Sequence, residues 1–553
     1  MKAALLAWTL VLAVAVAACA SSPSTPTTAS QSNPGSPQAP APTLAQAIRT
    51  SARLGPAGVG TRVELDFGLK ARQPALLAAI LASGRTVTLS EYTSEFGPDP
   101  ALVGQALVFL RSQGLDATWS PGSTLIQASG PAPVVDALLG VDIQSYRQPN
   151  GSVFYASTDT PILAPRLQAV VASVAGLDSY RRFRGAAVPP GGLKPTDVLL
   201  FYNLKPLRAR GLDGTGQTIL FPEIETLPQS NIDDLNQFAA RFGLPAYDNL
   251  LTVKHDASWG TPEKPIGEVV LDLEIAHEIA PKAKLVVYEA GPQPAFLNRA
   301  FDQLVSDHLG STISESLGVC ELDTAASLRA QYATISDRAV ALGMSHYAAT
   351  GDNGAYSCGE DQPPSALFPS TLPSVTAVGG TTVFESVDGS YFKESAWGGP
   401  ISESGAGGGA SQYYLLPAWQ KGVQDANGHG FRQVPDIAGD ADPITGFSYI
   451  MNGRLSQAGG TSASTPLWAG TTALINQDLI AKGLREVGFA NPAIYWMGAN
   501  QSNFASPPFH DVTIGNNLAY DAGPGWDFAT GWGSMDGVAL DTAWITYVKS
   551  GGG

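Results

Sequence analysis

The sequence predicts an α/β protein with two folded parts, a small α+β module followed by a larger domain built on a doubly wound parallel sheet. From residue 193 onward, apolar segments of strand length alternate with helical stretches such as 325–342. The predicted strands are 218–221, 284–288, 312–316, 346–349 and 375–378. Strands that alternate with helices form parallel sheets with both faces covered, and their functional residues lie at the carboxyl ends of the strands.

Residues 43–184 are predicted to form the smaller module, because strand and helix patterns interleave there. Val63, Leu65 and Phe67 alternate as a strand, and the apolar stripe from Leu102 to Leu110 is helical. Further segments are a helix at 74–82, a strand at 124–128, a helix at 133–139 and a hairpin turn at 148–151. This order predicts a ferredoxin-like plait.

The segment between the two parts has the composition of a cleavable linker. Residues 181–192 read RRFRGAAVPPGG, basic at first and then rich in Pro and Gly. Such segments are exposed and open to proteolysis. We therefore expect a cleavable linker at 185–192, ahead of a larger domain of residues 193–553.

The amino terminus has the pattern of an export signal. A positive charge at Lys2 precedes an apolar run at 3–15, and VAAC at 16–19 resembles the bacterial lipobox, whose cysteine is lipidated. Residues 20–42 are rich in Ser, Pro and Thr, as expected of a tether. We expect a signal peptide at 1–19 and a bacterial cell-surface protein anchored through Cys19. The alternative is an ordinary signal peptide and full secretion to the outside.

Composition narrows the classes of partner. The chain has 32 Lys and Arg against 48 Asp and Glu, which gives a net charge of −16. An acidic chain is repelled by phosphate backbones, so a nucleic-acid partner is not expected. The low number of basic residues also limits the positive charge that builds up when carboxylates are protonated, and this suits a protein that works in acid.

Two further cysteines, Cys320 and Cys358, predict a disulfide. Thiols in exported proteins usually pair. A metal site is the weaker interpretation, because the sequence has neither a CxxC motif nor a nearby cluster of histidines to accompany them.

The segment GGTSASTP at 459–466 predicts a nucleophilic serine. Ser462 follows two glycines and a threonine and precedes an apolar helical run. A tight turn exposes Oγ, and the amides of a helix N-terminus face a developing oxyanion. The alternative is a buried helix start made of small residues, since short patterns recur by chance.

Upstream, Glu268 and Asp272 are spaced so that both lie on one face of a predicted helix. A hydrolase whose serine is served by a carboxylate instead of a histidine would work in acid. The alternative is a solvated acidic face.

These motifs resemble those of the sedolisin family, the serine-carboxyl peptidases related to subtilisins. GGTSASTP is similar to the family's SGTSxSxP, with Gly459 in place of the first Ser. ExxxD at 268–272 matches the family's acid pair, and TGDNG at 350–354 is similar to its SGDSG. The supporting segments are 368–382 and 434–438 in the larger domain and 90–97, which resembles a kumamolisin-type activation propeptide.

The resemblance implies a bacterial pro-enzyme. Residues 193–553 would form a subtilisin-like catalytic domain, and residues 43–184 an inhibitory activation prodomain that acts as an intramolecular inhibitor. The implied activity is hydrolysis of proteins or peptides by an acid endopeptidase, and we expect a monomer. The alternative is a catalytically inactive surface lipoprotein that binds peptides.

In the family pattern, Glu268 is the general base for Ser462, on which an acyl-enzyme forms. Asp272 would hold Glu268 and share a proton with it, because two close carboxylates cannot both ionise cheaply. Asp352 would be protonated and donate a hydrogen bond to the oxyanion beside the Ser462 amide. For Asp352 taken alone, a turn-forming Asp before Asn-Gly is the alternative.

A histidine-based triad is the rival arrangement. None of the six histidines in the sequence lies in the His-Gly-Thr context of subtilisins. His277 follows Asp272 on the same predicted helix, but its spacing places it on a flank of that helix and away from Ser462.

The carboxy-terminal segment implies a structural Ca²⁺ through the same resemblance. The family pattern binds one ion, and the matching ligands are the carboxylates of Asp511 and Asp527 and the carbonyls of Val512, Gly523 and Gly525. A hard cation takes several oxygens, and glycines let carbonyls converge. The alternative is an aromatic-rich turn.

Two segments bear on substrate binding. SESLG at 314–318 resembles the family's strand that pairs with extended peptides. Leu317 stands where many members have Trp or Tyr. This departure argues against an aromatic relay to Glu268 and against a supporting role for Glu223 in it. Residues 404–409, SGAGGG, predict a flexible rim that is either a specificity loop or a plain linker.

Overall fold

The fold is that of a computed structural model, which describes residues 44–82, 85–149, 151–180, 192–359, 362–398, 404–423 and 428–551. The predicted signal peptide with Cys19, the tether at 20–42 and residues 185–191 of the linker lie outside these ranges. Among the helices that are described, none has the length and apolar character needed to cross a bilayer.

Over its described residues, the amino-terminal module has two antiparallel sheets, one of three strands and one of four, together with six helices. Its strands are β1 (Ala52–Pro56), β2 (Arg62–Leu69), β3 (Asp116–Thr118), β4 (Leu125–Pro131), β5 (Gln144–Arg147), β6 (Val153–Ala156) and β7 (Val171–Ala175). Its helices are α1 (Leu44–Thr50), α2 (Pro74–Ala82), α3 (Leu89–Glu91), α4 (Pro100–Ser112), α5 (Ala132–Leu139) and α6 (Pro165–Gln168), with a π-helical turn at Tyr92–Phe96.

The main sheet of the module runs β3-β4-β2-β7, which is the ferredoxin-like plait that the sequence predicts. α4 lies between β2 and β3 in the chain, and α5 follows β4. Val63, Leu65 and Phe67 of β2 are fully buried, because alternate side chains of a strand point to the same face. The predicted hairpin is present as β5 and β6, which pair in antiparallel register.

The larger domain supplies the remaining elements of the described chain. Its strands are β8 (Thr218–Glu223), β9 (Leu251–Lys254), β10 (Lys284–Glu289), β11 (Thr312–Glu315), β12 (Val319–Cys320), β13 (Ser345–Ala349), β14 (Leu367–Phe368), β15 (Thr376–Glu385), β16 (Tyr391–Ala396), β17 (Gly409–Leu415), β18 (Phe431–Val434), β19 (Ile437–Asp440), β20 (Phe447–Met451), β21 (Arg454–Ala458), β22 (Phe509–His510) and β23 (Ser534–Met535). Its helices are α7 (Pro195–Phe201), α8 (Lys205–Ala209), α9 (Gln229–Phe242), α10 (Glu268–Ile279), α11 (Pro294–Asp307), α12 (Ala326–Ala341), α13 (Thr461–Ala481), α14 (Asn491–Ala499) and α15 (Gly537–Lys549).

The core of this domain is an eight-stranded sheet ordered β16-β15-β13-β11-β8-β10-β9, with β19 paired to β15. The pairs from β9 to β15 are parallel, as predicted. β16 is an antiparallel edge strand, which the sequence pattern does not predict. Because β10 and β11 flank β8 on opposite sides, the direction of winding reverses at β8, and a crevice opens there at the carboxyl ends of the strands.

Alternate residues of the central strands face two different cores. Ile219 and Phe221 of β8 belong to the cluster that includes α10 and α13, whereas Leu220 belongs to the cluster that includes α11 and α12. Burial on both faces explains why these strands are continuous apolar runs in the sequence. α10 packs against α13 on one side of the sheet, and α11 packs against α12 on the other.

The module rests its sheet on α11 and α12, and charged groups are buried in that contact. Arg299 Nε of α11 lies 2.9 Å from Asp66 Oδ1 of β2. Asp302 of α11 accepts hydrogen bonds from Ser123 Oγ at 2.6 Å and from Thr124 Oγ1 at 2.8 Å. A buried charge is stable only while it keeps its partner, so these contacts fix how the module docks.

Arg299→Ala should loosen this contact, because it leaves Asp66 buried without its cation. Loss of one partner of a buried pair costs about 3–5 kcal/mol. The matched control is Arg62→Ala, since Arg62 pairs with Asp116 at 2.5 Å but the two side chains are 54% and 79% exposed. Such a pair contributes about 1 kcal/mol or less. Calorimetry of the full chain should show a clearly larger loss of stability for Arg299→Ala, and equal losses would contradict the assignment.

Candidate active site

Ser462 is the second residue of α13 and lies beside the carboxyl end of β11. Its Oγ is 3.4 Å from the carbonyl oxygen of Ser316, the residue after that strand. Gly460 precedes the helix with φ +91°, which side-chain-bearing residues rarely adopt. A Cβ on Gly460 would also lie 2.6 Å from Asp352 Oδ2. Gly460 therefore lets the serine turn approach the Asp352 loop closely.

Glu268 and Asp272 are both buried, one turn apart on α10. Burial raises the pKa of each carboxyl well above its ordinary value. The charge of Asp272 raises the pKa of Glu268 further, whereas a hydrogen bond from the Ser462 side chain lowers it. The serine hydroxyl thus meets a carboxyl group directly, with no histidine between them.

Ser316 fixes Asp272 in place. Its Oγ lies 2.8 and 2.9 Å from the two carboxylate oxygens of Asp272 and 3.2 Å from the carbonyl oxygen of Ser462. This hydrogen bond lowers the pKa of Asp272, but burial outweighs it. The substrate segment predicted at 314–318, Asp272 and the serine are therefore joined through one side chain.

Asp352 follows β13 and reaches the same turn. Its Oδ1 accepts hydrogen bonds from the Thr461 amide at 2.8 Å and from the Thr461 hydroxyl at 3.0 Å. Thr461 Oγ1 in turn accepts a hydrogen bond from the Gly351 amide at 2.9 Å. Burial raises the pKa of Asp352, and the bonds from Thr461 oppose the rise. The carboxyl is therefore held at the start of α13, with a pKa above its ordinary value.

Both parts of this chain match known protein families. Residues 49–180 match the family described as "Pro-kumamolisin, activation domain", and residues 260–533 match the "Subtilase family". The chain is 35% identical over 452 residues to kumamolisin of Bacillus sp. (strain MN-32), which covers 74% of this chain and 77% of that protein. The chain belongs to the sedolisin family. The predicted family and the subtilisin-like fold are confirmed, and the protein is a serine-type peptidase with an activation prodomain.

A further relative and a solved structure extend the match. Sedolisin of Pseudomonas sp. (strain 101) is 29% identical over 567 aligned residues, which cover 93% of each chain. The solved structure of Pseudomonas sedolisin, a serine-carboxyl proteinase complexed with two molecules of pseudo-iodotyrostatin, superposes with a TM-score of 0.57 and 28% identity. The superposition covers 66% of this chain and 100% of the sedolisin chain.

The predicted disulfide of this peptidase is confirmed: Cys320 and Cys358 are bonded, with an S–S distance of 2.11 Å. Cys320 belongs to β12, directly after the substrate segment, and Cys358 lies on the loop that follows Asp352. The bond therefore ties the substrate segment to the Asp352 loop.

The glycine-rich segment at 404–409 braces the Asp352 loop. The Gly405 amide donates to the Asp352 carbonyl at 3.0 Å, and the Gly407 amide donates to the Gly351 carbonyl at 2.8 Å. A Cβ on Gly407 would lie 1.8 Å from the Thr350 carbonyl oxygen. The prediction of a flexible rim is wrong here, because these glycines serve close backbone contact.

Two histidines near the elements of the site do not serve Ser462. His277 on α10 donates from Nε2 to the Pro245 carbonyl at 2.7 Å, and burial lowers its pKa to about 4. His346 lies 2.8 Å from Glu315 Oε2 and 3.5 Å from Ser336 Oγ. This Ser, His and Glu set has the composition of a triad, but Ser336 and His346 are 0% and 1% exposed, so no substrate reaches them.

The residues of the predicted Ca²⁺ site come together in the structure. Asp511 accepts hydrogen bonds from the Gly525 amide at 3.0 and 3.1 Å, and Asp527 Oδ2 accepts one from the Gly523 amide at 2.8 Å. Val512 follows Asp511 and is buried. Burial raises the pKa of Asp511, and it raises that of Asp527 to about 6. The two carboxylates are partly desolvated, and carboxylate oxygens are the ligand type that a hard cation takes.

Three side chains of the site are missing from the sequence-based prediction, namely Ser316, Thr461 and Glu225. Ser316 and Thr461 stand inside recognised motifs, so their positions were available although their contacts were not. Glu225 follows β8, the strand at which the winding reverses, and that position alone is a signal of function.

Proposed function

We propose that the protein is an acid-active endopeptidase, made as a zymogen, that cleaves proteins through an acyl-enzyme on Ser462. The observation that carries this proposal is the contact between the Ser462 side chain and the Glu268 carboxyl, with Asp272 one turn further on the same helix. A carboxylate is a weaker base than an imidazole, but its conjugate acid is a stronger acid and readily protonates a leaving amine, which suits reaction in acid.

In the acylation step, Ser462 Oγ attacks the carbonyl carbon of the scissile peptide, and its proton passes to Glu268. Glu268 then gives that proton to the leaving amine. Water attacks the acyl-enzyme with Glu268 again as the base, and the serine is regenerated. Asp272, held by the Ser316 hydroxyl, keeps Glu268 in position and shares a proton with it.

Asp352 and the Ser462 amide would stabilise the oxyanion. The amide lies in the first turn of α13, where backbone N–H groups have no partner within the helix. Thr461 binds Asp352 Oδ1, so the second carboxyl oxygen is the one that can carry a proton. An ionised Asp352 would repel the oxyanion, and this role therefore needs the protonated form.

The prodomain would inhibit until acid releases it. The buried Asp66–Arg299 pair supports this, because burial raises the pKa of Asp66 to about 6 although Arg299 lowers it. Below that pH, Asp66 takes up a proton and the ion pair is lost. Cleavage within 185–192 would then free the peptidase domain. A variant with an uncleavable linker that still matures in acid would contradict this order of events.

A lipid on Cys19 would anchor the exported zymogen to the bacterial surface. The proposal rests on the VAAC motif and the tether that follows it. Mass spectrometry of the amino-terminal peptide distinguishes a lipidated Cys19 from an ordinary cleaved terminus.

A Ca²⁺ ion would be held by the carboxylates of Asp511 and Asp527 together with the carbonyls of Val512, Gly523 and Gly525. The ion supplies positive charge that offsets the burial of the two carboxylates, and its role would be structural. The support is the side-by-side placement of the two segments and the raised pKa of both carboxyls.

Ser462→Ala and Glu268→Gln should each reduce hydrolysis of a protein substrate in acid by at least about 10³-fold, because the nucleophile or its base is gone. His429→Asn, at an exposed histidine, should leave the rate unchanged. The measurement is initial rate across pH with the matured protein. Full activity of Ser462→Ala would contradict the proposal, and a wild-type protein without activity at any pH would favour the peptide-binding lipoprotein.

Activity should fall as pH rises through the raised pKa of Asp352, since the protonated carboxyl is needed. Asp352→Asn keeps a hydrogen-bond donor at every pH, so the basic limb of its kcat/KM profile should move to higher pH. Asp352→Ala removes the donor and should lower kcat by about 10²–10³-fold. An Asp352→Asn profile that coincides with the wild type would show that this carboxyl does not set the basic limb.

Removal of Ca²⁺ with EGTA should lower the thermal midpoint of the protein by about 5 °C or more, because a ligand that binds only the folded state stabilises it. Asp527→Asn should start from a lower midpoint and respond little to EGTA. Equal responses of the variant and the wild type would place the ion elsewhere.

A further inference from the structure

Glu225 is a buried carboxyl group that the steps above do not use. It lies just beyond β8, the strand where the winding of the sheet reverses, and it is 1% exposed. Its Oε2 accepts hydrogen bonds from the Ile266 amide at 3.0 Å and from the Gly267 amide at 3.1 Å. One carboxylate oxygen thus binds two consecutive backbone donors immediately before α10.

Those two donors belong to the residues that set where Glu268 begins. Gly267 is the N-cap of α10 and has φ +114°, and Glu268 is the first residue of the helix. A glycine in that conformation gives the chain little stiffness of its own. The amides before a helix have no partner within it, so an acceptor must come from another element. Glu225 is that acceptor.

The backbone reinforces this attachment. Glu225 and Glu263 form an isolated parallel bridge. The Thr226 amide donates to the Glu263 carbonyl at 2.9 Å, and the Glu263 amide donates to the Ile224 carbonyl at 2.7 Å. The segment that leads into α10 is therefore attached to the end of β8 at both its beginning and its end.

Glu225 also stands among other acidic groups. Burial and the charge of Asp272 raise the pKa of Glu268, and a hydrogen bond from Ser462 lowers it. The charge of Glu225 is a further, smaller effect that raises this pKa. Burial raises the pKa of Glu225 itself, while its backbone hydrogen bonds oppose that rise. The titratable groups that face Glu225 or Glu268 from the packed elements are Glu223, Glu263, Asp272, Asp352 and Tyr449.

We propose that Glu225 is a positioning residue for the general base: through the amides of Ile266 and Gly267 it places Glu268 against Ser462. A negative charge held at this point should also make Glu268 harder to ionise. This inference rests on the proposed function, in which Glu268 is the base. A merely structural cap would change stability alone.

The test compares Glu225→Gln and Glu225→Ala in the full chain after maturation in acid. Glu225→Gln keeps an acceptor oxygen but removes the charge. Its kcat should stay within about threefold of the wild type, and the acid limb of kcat/KM should move down by about 1 pH unit, because a neighbouring negative charge is gone. Glu225→Ala removes the acceptor as well and should lower kcat by about 100-fold, since small misplacements of a reacting group are costly. KM should change by less than about threefold, because the substrate segment at 314–318 is untouched.

Asp234 offers a matched control. It is a 5%-exposed carboxylate that also clamps two consecutive amides, those of Asn452 at 2.8 Å and Gly453 at 2.7 Å. Asp234→Asn should lower the thermal midpoint without moving the acid limb or kcat.

An unmoved acid limb in Glu225→Gln, or wild-type kcat in Glu225→Ala, would overturn the proposal. If Glu225→Ala does not mature, Glu225→Gln still decides the question. Wild-type protein and Ser462→Ala in the same assay report separately on the proposed function, so failure of the positioning role is distinguishable from absence of peptidase activity.

Discussion

The close packing of α10 against α13 is the contact on which the rest of the site depends. Gly470 of α13 makes it possible, because a Cβ at that position would lie 2.8 Å from Ile279 Cβ of α10. The base and the nucleophile stand at the amino-terminal ends of these two helices, so their separation is set by the packing of the core. Ser316, directly after β11, joins the two helices, because its hydroxyl contacts Asp272 of α10 and the Ser462 carbonyl of α13. The nucleophile and the base therefore lie on packed helices of the core, whereas Asp352 lies on a loop.

A second consequence of this arrangement is a core rich in acids. Besides Glu268 and Asp272, α10 buries Glu274 and Glu278, and burial raises the pKa of both well above the ordinary value. While the pH lies below the ordinary pKa of such a carboxyl group, both folded and unfolded forms are protonated, and the group makes no pH-dependent contribution to the free energy of unfolding. As the pH rises, the unfolded chain ionises first and stability is lost until the raised pKa is passed. These buried acids should therefore make the mature domain more stable in acid, the range proposed for its activity.

Much of the architecture could be predicted from the sequence. Strands such as β8 and β10 have continuous apolar stretches, at 219–222 and 285–288, because both faces are buried. Val63, Leu65 and Phe67 of β2 alternate with polar residues because one face packs on helices. The two-stranded sheets β17–β18 and β20–β21 and the edge strand β16 are not predicted, since their segments lack a long periodic pattern.

Motifs in the sequence identify four residues of the site, namely Ser462, Glu268, Asp272 and Asp352. The structure places them around the start of α13. The roles of Ser316, Thr461 and Glu225 depend on contacts between distant elements, which spacing does not reveal. The prediction of a flexible rim at 404–409 is wrong because glycine content does not distinguish mobility from tight packing.

One hydrophobic cluster crosses the boundary between the module and the peptidase domain. Leu77, Tyr92 and Phe96 of the module pack in the same cluster as Phe301 and Tyr332, which lie on the two crossover helices of the parallel sheet. Parallel sheets form slowly, because distant strands must meet before their contacts stabilise them. The module would give the crossover helices an apolar surface during that search, and cleavage of the linker would remove it. A mature molecule that unfolds would then lack this surface, so its lifetime would be governed by the rate of unfolding and not by an equilibrium.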